Sequence, residues 1–307
     1  MQAIWTSMSG SVEAGLLYAL MALGVYITFR ILDFPDLTVD GSFTTGGAIA
    51  AVMINAGYSP WLATAAALAG GLVAGSLTGL LHAKGKINGL LSGILMMIAL
   101  YSINLRILGR PNMSLLGMDT IFPPIERDRR WILLIVIAVV IVVIKLLIDA
   151  FLKTDLGLAL RATGDNAKMI GSFGANTDTT KIIGVSLSNG LVALSGAVIA
   201  MQQGFADISM GIGMIVIGLA SVIIGEALFG AKTVFRATLA VVLGSIVYRI
   251  VVALALRVDW LESSDVKLIT AVIVIIALVV PTASRSWTMK KQAYKRSREL
   301  AGSEAGR

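Results

Sequence analysis

Cysteine is absent from the 307 residues and histidine occurs once. Without a thiol there is no disulfide framework, thiolate metal site, Fe–S ligation or cysteine nucleophile. The lone His82 has no second histidine with which to share a metal, and its place at the end of an apolar run beside Lys84 suits a structural or interfacial role. Charge is scarce too: Asp, Glu, Lys and Arg make up 14% of the chain, against about 25% in a water-soluble domain. So few ions cannot cover a globular surface, and soluble enzymes are excluded. No G-x-x-x-x-G-K-[ST] loop occurs that could cradle a nucleotide phosphate. The nearest stretch, Gly79 to Lys86, has the wrong spacing and is followed by Ile87 where a hydroxyl is needed. Gly211-Ile212-Gly213 begins like a dinucleotide fingerprint, but the next position of that pattern is Val216. No catalytic residue, metal site, cofactor or nucleic-acid partner is expected.

What is abundant is apolar surface, at 57% of residues and a mean hydropathy of +0.87. That amount accommodates about nine spans of some 20 residues. Apolar runs fall at roughly 11–30, 41–57, 60–82, 88–107, 131–151, 182–203, 212–229, 236–256 and 266–283. The expectation is an all-α polytopic bundle. The first run lacks a basic flank and follows the polar stretch Thr6 to Ser11, so it reads as a span and not as a cleaved signal. The 32 glycines suit such a bundle, because small residues let helices approach. Gly71, Gly75 and Gly79 recur every fourth residue and make one such stripe.

Lys and Arg set orientation. With the C-terminus cytoplasmic, the inner segments carry Arg30, Lys84, Lys86, Lys153, Arg161, Lys168, Lys181, Lys232, Arg236 and the basic tail that starts at Arg285. The outer ones carry Arg106, Arg110, Arg127, Arg129, Arg130, Arg257 and Lys267. The bias favours an external N-terminus, with the cluster Glu126 to Arg130 as its weakest point. The domains are then a transmembrane part over 1–284, a cytoplasmic loop over 153–181 within it, and a basic tail over 285–307 attracted to anionic membrane lipid.

Four places break the apolar pattern. Pro35 must interrupt the chain between Leu32 and Gly47. The segment that follows is short and glycine-rich, the kind of broken helix where transporters place substrate contacts. Asp36 or Thr38 can cap the helix beginning near Gly41, and a plain capped turn with Asp33, Asp36 and Asp40 in solvent is the bland alternative. The second place is Thr154 to Asp178, where Asp165 or Asn166 can cap a short amphipathic helix that Gly171 or Gly174 ends. The third is Glu226 and Arg249, two ionisable residues in neighbouring spans, each costing about 2.5 kcal/mol or more if central. They pair, or Arg249 faces a subunit interior or carbonyl groups. The fourth is a scatter of uncharged polar residues, among them Ser92, Asn104, Ser188 and Asn189, each more often an interhelical hydrogen bond than a ligand. Met96 and Met97 can form an adaptable apolar wall. As a substrate pathway these observations single out Asp40, Ser42, Ser92, Met96 and Asn189.

Three stretches together resemble the permease subunits of bacterial ABC importers of the branched-chain amino acid and ribose type. They are Asp40-Gly41-Ser42-Phe43 after the first span, Gly157-Leu158-Ala159-Leu160-Arg161-Ala162 followed by Asn166-Ala167 and Phe173-Gly174, and the glycine-rich run from Gly218 to Gly230. The likeness runs in order from about Gly15 to Val280. The phrase from Leu32 to Phe43 looks closest to an uncharacterised or aromatic-amino-acid-linked branch. The resemblance implies that Arg161, Asp165, Asn166, Lys168, Phe173 and Gly174 form a coupling helix docking into a separate ABC ATPase subunit. It also implies an extracytoplasmic substrate-binding protein, two permease copies around one path, and a place in the bacterial inner membrane. The expected function is alternating access for a small polar solute, an amino acid first. A secondary transporter or channel without an ATPase is the alternative, and it would need an ion-relay constellation that the sparse intramembrane acids do not suggest.

Overall fold

The structure, a computed structural model, describes residues 2–122 and 130–256, and beyond them 268, 270–272 and 275. Most of the expected span over 266–283, the basic tail and most of the Glu126 to Arg130 cluster lie outside the described residues.

The chain is a helical bundle. Helix α1 (Gln2–Val25) passes directly into a π-helical turn, Tyr26–Ile31. The path then bends as Pro35 requires: the Phe34 amide reaches back to the Thr28 carbonyl at 2.9 Å, and Asp33 adopts φ +50°. Helix α2 (Thr38–Asn55) restarts three residues after the proline. The Asp36 carboxylate accepts from the Thr38 amide at 2.9 Å, the capping role foreseen for it. Helices α3 (Pro60–Ala83) and α4 (Gly89–Leu108) follow, then a short strand β1 (Asn112–Ser114), α5 (Arg130–Phe151), α6 (Asp155–Ser172), α7 (Thr177–Gln203), strand β2 (Phe205–Asp207), α8 (Met214–Phe229) and α9 (Val234–Ala255).

Six of these helices are long and apolar enough to cross a bilayer, starting with Ser9–Ile31 and including α3, α4, α5, α7 and α9. Helix α8 is apolar but only 16 residues long. Helix α2, rich in Thr and Gly, is not among the six. The polytopic helical class therefore stands, with six such spans among the described residues where the apolar runs suggested nine.

Packing explains the glycines. The stripe on α3 lies against α7: a Cβ on Gly71 would fall 2.4 Å from the Asn189 carbonyl oxygen, and one on Gly75 2.4 Å from that of Val185. Helices α2 and α7 press together as closely, with Gly46 against the Ala193 carbonyl and Gly196 against that of Phe43. Backbone contact of this kind is what membrane helices gain from small residues, since lipid gives no hydrophobic drive for helix association. Helices α1 and α7 are mostly buried, whereas α4 and α5 expose long apolar faces such as Leu95, Ile98, Ile135 and Val139. Such faces fit contact with lipid.

The two ends of the bundle differ. One gathers the π-helical turn, α6, the turn after α3 and the start of α9. The other carries a ribbon the apolar pattern did not suggest, β1 antiparallel to β2 with Asn112 opposite Asp207. Asp207 accepts from the Ser209 amide and hydroxyl and from Asn112. Partial desolvation pulls its pKa upward, but these hydrogen bonds outweigh it and hold the carboxyl below its ordinary value.

Candidate functional site: a broken helix pair and an exposed end helix

Two sites emerge, one inside the bundle and one at its basic end. Inside, the break before α2 and the break before α8 face one another. Asp40, in the first turn of α2, accepts from the Gly213 amide on one oxygen and the Ile215 amide on the other, both at 2.8 Å. The carboxylate of one broken helix thus caps the N-terminus of the other, where free N–H groups and the helix dipole favour negative charge. Thr44 accepts from the Gly211 amide at 3.1 Å. Gly211 allows this approach, since a Cβ there would lie 1.9 Å from the Asp40 carbonyl oxygen.

Beside this junction is a cleft of about 550 Å³ lined by Asp40, Gly41, Thr44, Met97, Ile98, Tyr101, Ser102, Asn104, Ile208 and Ile212. Its rim is open, with Ile98, Tyr101 and Ile212 exposed. Among the five residues expected on a substrate pathway, only Asp40 lines this cleft. Ser42 and Asn189 instead belong to a sealed polar chain. The Ser42 hydroxyl donates to Asn189 Oδ1 at 2.6 Å, and Asn189 Nδ2 donates to Asp36 at 2.6 Å and to the Val185 carbonyl at 2.9 Å. All three side chains are fully buried. Ser92 is buried and returns its hydroxyl to the Asn88 carbonyl at 3.0 Å, while Met96 packs beside Ala74 and Leu100. The reason is helical phase. Ser92 and Met96 fall on the face of α4 turned to the bundle, and the next-door Met97, with Tyr101, falls on the cleft side. The three aspartates also part company: Asp33 is exposed, Asp36 fully buried, and Asp40 in between.

At the basic end, α6 is longer than the short helix read from Asp165 onward. Thr154 caps it by accepting from the Gly157 amide at 3.3 Å, and Leu160 and Thr163 are buried against the bundle. Gly164 lets it seat on the π-helical turn, since a Cβ would stand 1.8 Å from the Ile31 carbonyl oxygen. The helix then breaks at Asn166 (φ −156°, ψ 89°), whose side chain caps the second piece by accepting from the Met169 amide at 3.0 Å. That piece ends at Gly174, φ +86°. The structure brings Arg161, Asp165, Asn166, Lys168, Phe173 and Gly174 onto this one element, all exposed. Phe173, 75% exposed, projects with Met169 away from the bundle.

The sequence left open whether Glu226 and Arg249 pair. Glu226 pairs not with Arg249 but with Arg30 of the π-helical turn, at 2.9 Å, because it lies near the end of α8. Arg249 stacks on Tyr18 of α1, 3.6 Å from the ring centre, and Tyr18 in turn stacks on Phe43. A third pair was overlooked. Lys145 and Asp149 on α5 are both buried and contact each other at 2.5 Å. The Thr238 hydroxyl of α9 donates to Asp149 at 2.6 Å, and Phe235 lies over the ammonium at 3.2 Å. The spacing Lys-x-x-x-Asp inside an apolar run was the available signal. Among the described residues no three His, Asp or Glu gather as a metal site requires.

A family described as branched-chain amino acid transport system / permease component matches residues 7–280. The chain belongs to that family. The permease is 46% identical, over 94% of its own length and 96% of the relative's, to a tyrosine transport system permease protein of Clostridioides difficile (strain R20291). It is 41% identical to an uncharacterised protein of Rickettsia prowazekii (strain Madrid E) over 60% of this chain and 64% of that one. A solved structure described as an inward-facing metal-chelate type ABC transporter aligns with 91% of the permease and 85% of its own chain, at 17% identity and a TM-score of 0.49. The permease is a multi-pass membrane protein and the permease component of a transport system.

Proposed function

We propose that the permease is the membrane subunit of an ATP-driven importer, taking an amino acid from an extracytoplasmic binding protein and moving it by alternating access. The observation that carries this reading is α6. Its first piece is seated on the bundle through Gly164, and its second piece presents Met169 and Phe173 to solvent with Arg161, Asp165 and Lys168 around them. An exposed aromatic among charges, on a capped helical piece that continues from the bundle-seated one, fits an anchor for a partner's pocket. A bundle with two states is biased only by a partner whose contacts differ between those states, and an ATPase subunit with a nucleotide cycle meets that need. The relative named as a tyrosine transport permease favours an amino acid as cargo.

The end that carries α6 also carries Arg30, Arg161, Lys181 and Lys232, and this basic excess supports a cytoplasmic place for it. The N-terminus is then external and the basic tail cytoplasmic. Two copies close the open rim formed by Ile98, Tyr101 and Ile212 around one path, in which Asp40 faces the cargo; Ser42, Ser92, Met96 and Asn189 take part when the helices tilt.

Phe173→Ala combined with Met169→Ala leaves insertion intact, since neither side chain is buried. It is expected to abolish both co-purification with the ATPase subunit and uptake. Undiminished uptake per inserted molecule refutes the proposal.

A further inference from the structure

The cleft beside the broken helices offers hydrogen-bond acceptors and, among the described residues, has no cation in its lining. Asn104 is the telling member. It is 1% exposed, and its Nδ2 donates to the Gly41 carbonyl at 3.1 Å. The reverse orientation of the amide would set its oxygen against that carbonyl, so the assignment follows from the network. Oδ1 is then an acceptor, and it has no donor among the described residues. Leaving a buried acceptor unmet costs free energy that a ligand's donor recovers. Asp40 adds the second acceptor. The Gly213 and Ile215 amides fix both its oxygens, with the Met214 amide beside them, and three donors leave a carboxylate acceptor capacity to spare. Because Asn104, on α4, is bonded to the residue after Asp40, both acceptors lie beside the first turn of α2.

We infer that this cleft receives the ammonium group of an amino acid, with Asp40 and Asn104 Oδ1 as its acceptors and Tyr101, Met97, Ile208 and Ile212 as the wall for an apolar or aromatic side chain. The inference rests on the amino-acid reading above. An ammonium matches the site on three counts: it brings several donors, it supplies the charge that the cleft lacks, and its carbon-borne side chain suits an apolar wall better than a polyol would. A carboxylate finds no cationic partner there, so the cleft distinguishes the two ends of a zwitterion.

The absence of cysteine allows a direct test on the full chain in nanodiscs. Ser102, exposed on the cleft lining, is changed by Ser102→Cys and labelled with a water-soluble methanethiosulfonate. L-Tyrosine and tyramine, which keep the ammonium, are expected to slow labelling, and 3-(4-hydroxyphenyl)propionate, which lacks it, is not. Adding Asp40→Asn or Asn104→Leu is expected to raise the half-protecting concentration about tenfold or more. Equal protection by the deaminated acid overturns the inference, as does unchanged protection in both weakened variants. Uptake in cells carrying the whole transporter separates the two levels. If amino acids enter but no ammonium compound protects, the inference alone falls; if no amino acid enters, the amino-acid reading falls and the inference with it.

Discussion

The buried pair on α5 gives the sharpest quantitative expectation. Removing one partner of a buried ion pair costs about 3–5 kcal/mol, whereas replacing both by apolar residues of similar size is neutral or stabilising by about 1–4 kcal/mol. The surroundings make the two single changes unequal. In Lys145→Met the Asp149 carboxylate keeps the Thr238 hydroxyl at 2.6 Å, a charge-assisted bond of about 1.5–3 kcal/mol. In Asp149→Leu the ammonium keeps, among the described residues, only the Phe235 ring at 3.2 Å, a contact of about 0.5–2 kcal/mol. Asp149→Leu is therefore expected to be the more damaging. The double variant is expected to lie near the parent, because Thr238 retains the Val234 carbonyl as an acceptor at 3.2 Å. Unfolding of the purified chain in lipid nanodiscs, followed for the parent, both singles and the double, closes the thermodynamic cycle. A double variant whose loss equals the sum of the singles refutes the reasoning, as does Lys145→Met costing more than Asp149→Leu.

Gly164→Ala places a Cβ 1.8 Å from the Ile31 carbonyl oxygen and 2.9 Å from the Leu32 Cα, backbone atoms that cannot swing away. Alanine gains up to about 1 kcal/mol of helix propensity and loses about 1–3 kcal/mol to overpacking. The expected result is α6 unseated, with uptake lost at normal insertion; transport equal to the parent contradicts it. Asn189→Leu leaves Ser42 without its acceptor and one Asp36 oxygen without its donor, the other keeping the Thr38 amide, both residues fully buried, at about 1–3 kcal/mol each. An unfolding midpoint unchanged in nanodiscs rules that arithmetic out.

The helices were legible because their signal is one-dimensional. An apolar run of span length survives any packing, and Pro35 breaks a helix in any context. The Asn166 cap and the Gly174 stop were legible for the same reason, being contacts within a few residues. The lining of the cleft was not. Met96 was read together with Met97, and only the rotation of α4 about its axis turned Ser92 and Met96 inward and Met97 and Tyr101 to the cleft. Whether Glu226 and Arg249 pair stayed open in the sequence, and the fold brought Arg30 of the π-helical turn to Glu226 instead.

By itself, then, the sequence determined that this chain is a membrane bundle with a broken second helix and a capped polar hairpin, since scarcity of charge, run length and capping act locally. The tertiary structure decided which aspartate is solvated, sealed or facing a cleft, and that α2 and α8 meet end to face through Asp40. Those outcomes depend on helix phase and depth, set by backbone contacts at glycines such as Gly46, Gly196 and Gly211 on segments far apart in the chain. A one-dimensional pattern carries no record of which carbonyl a missing Cβ makes room for.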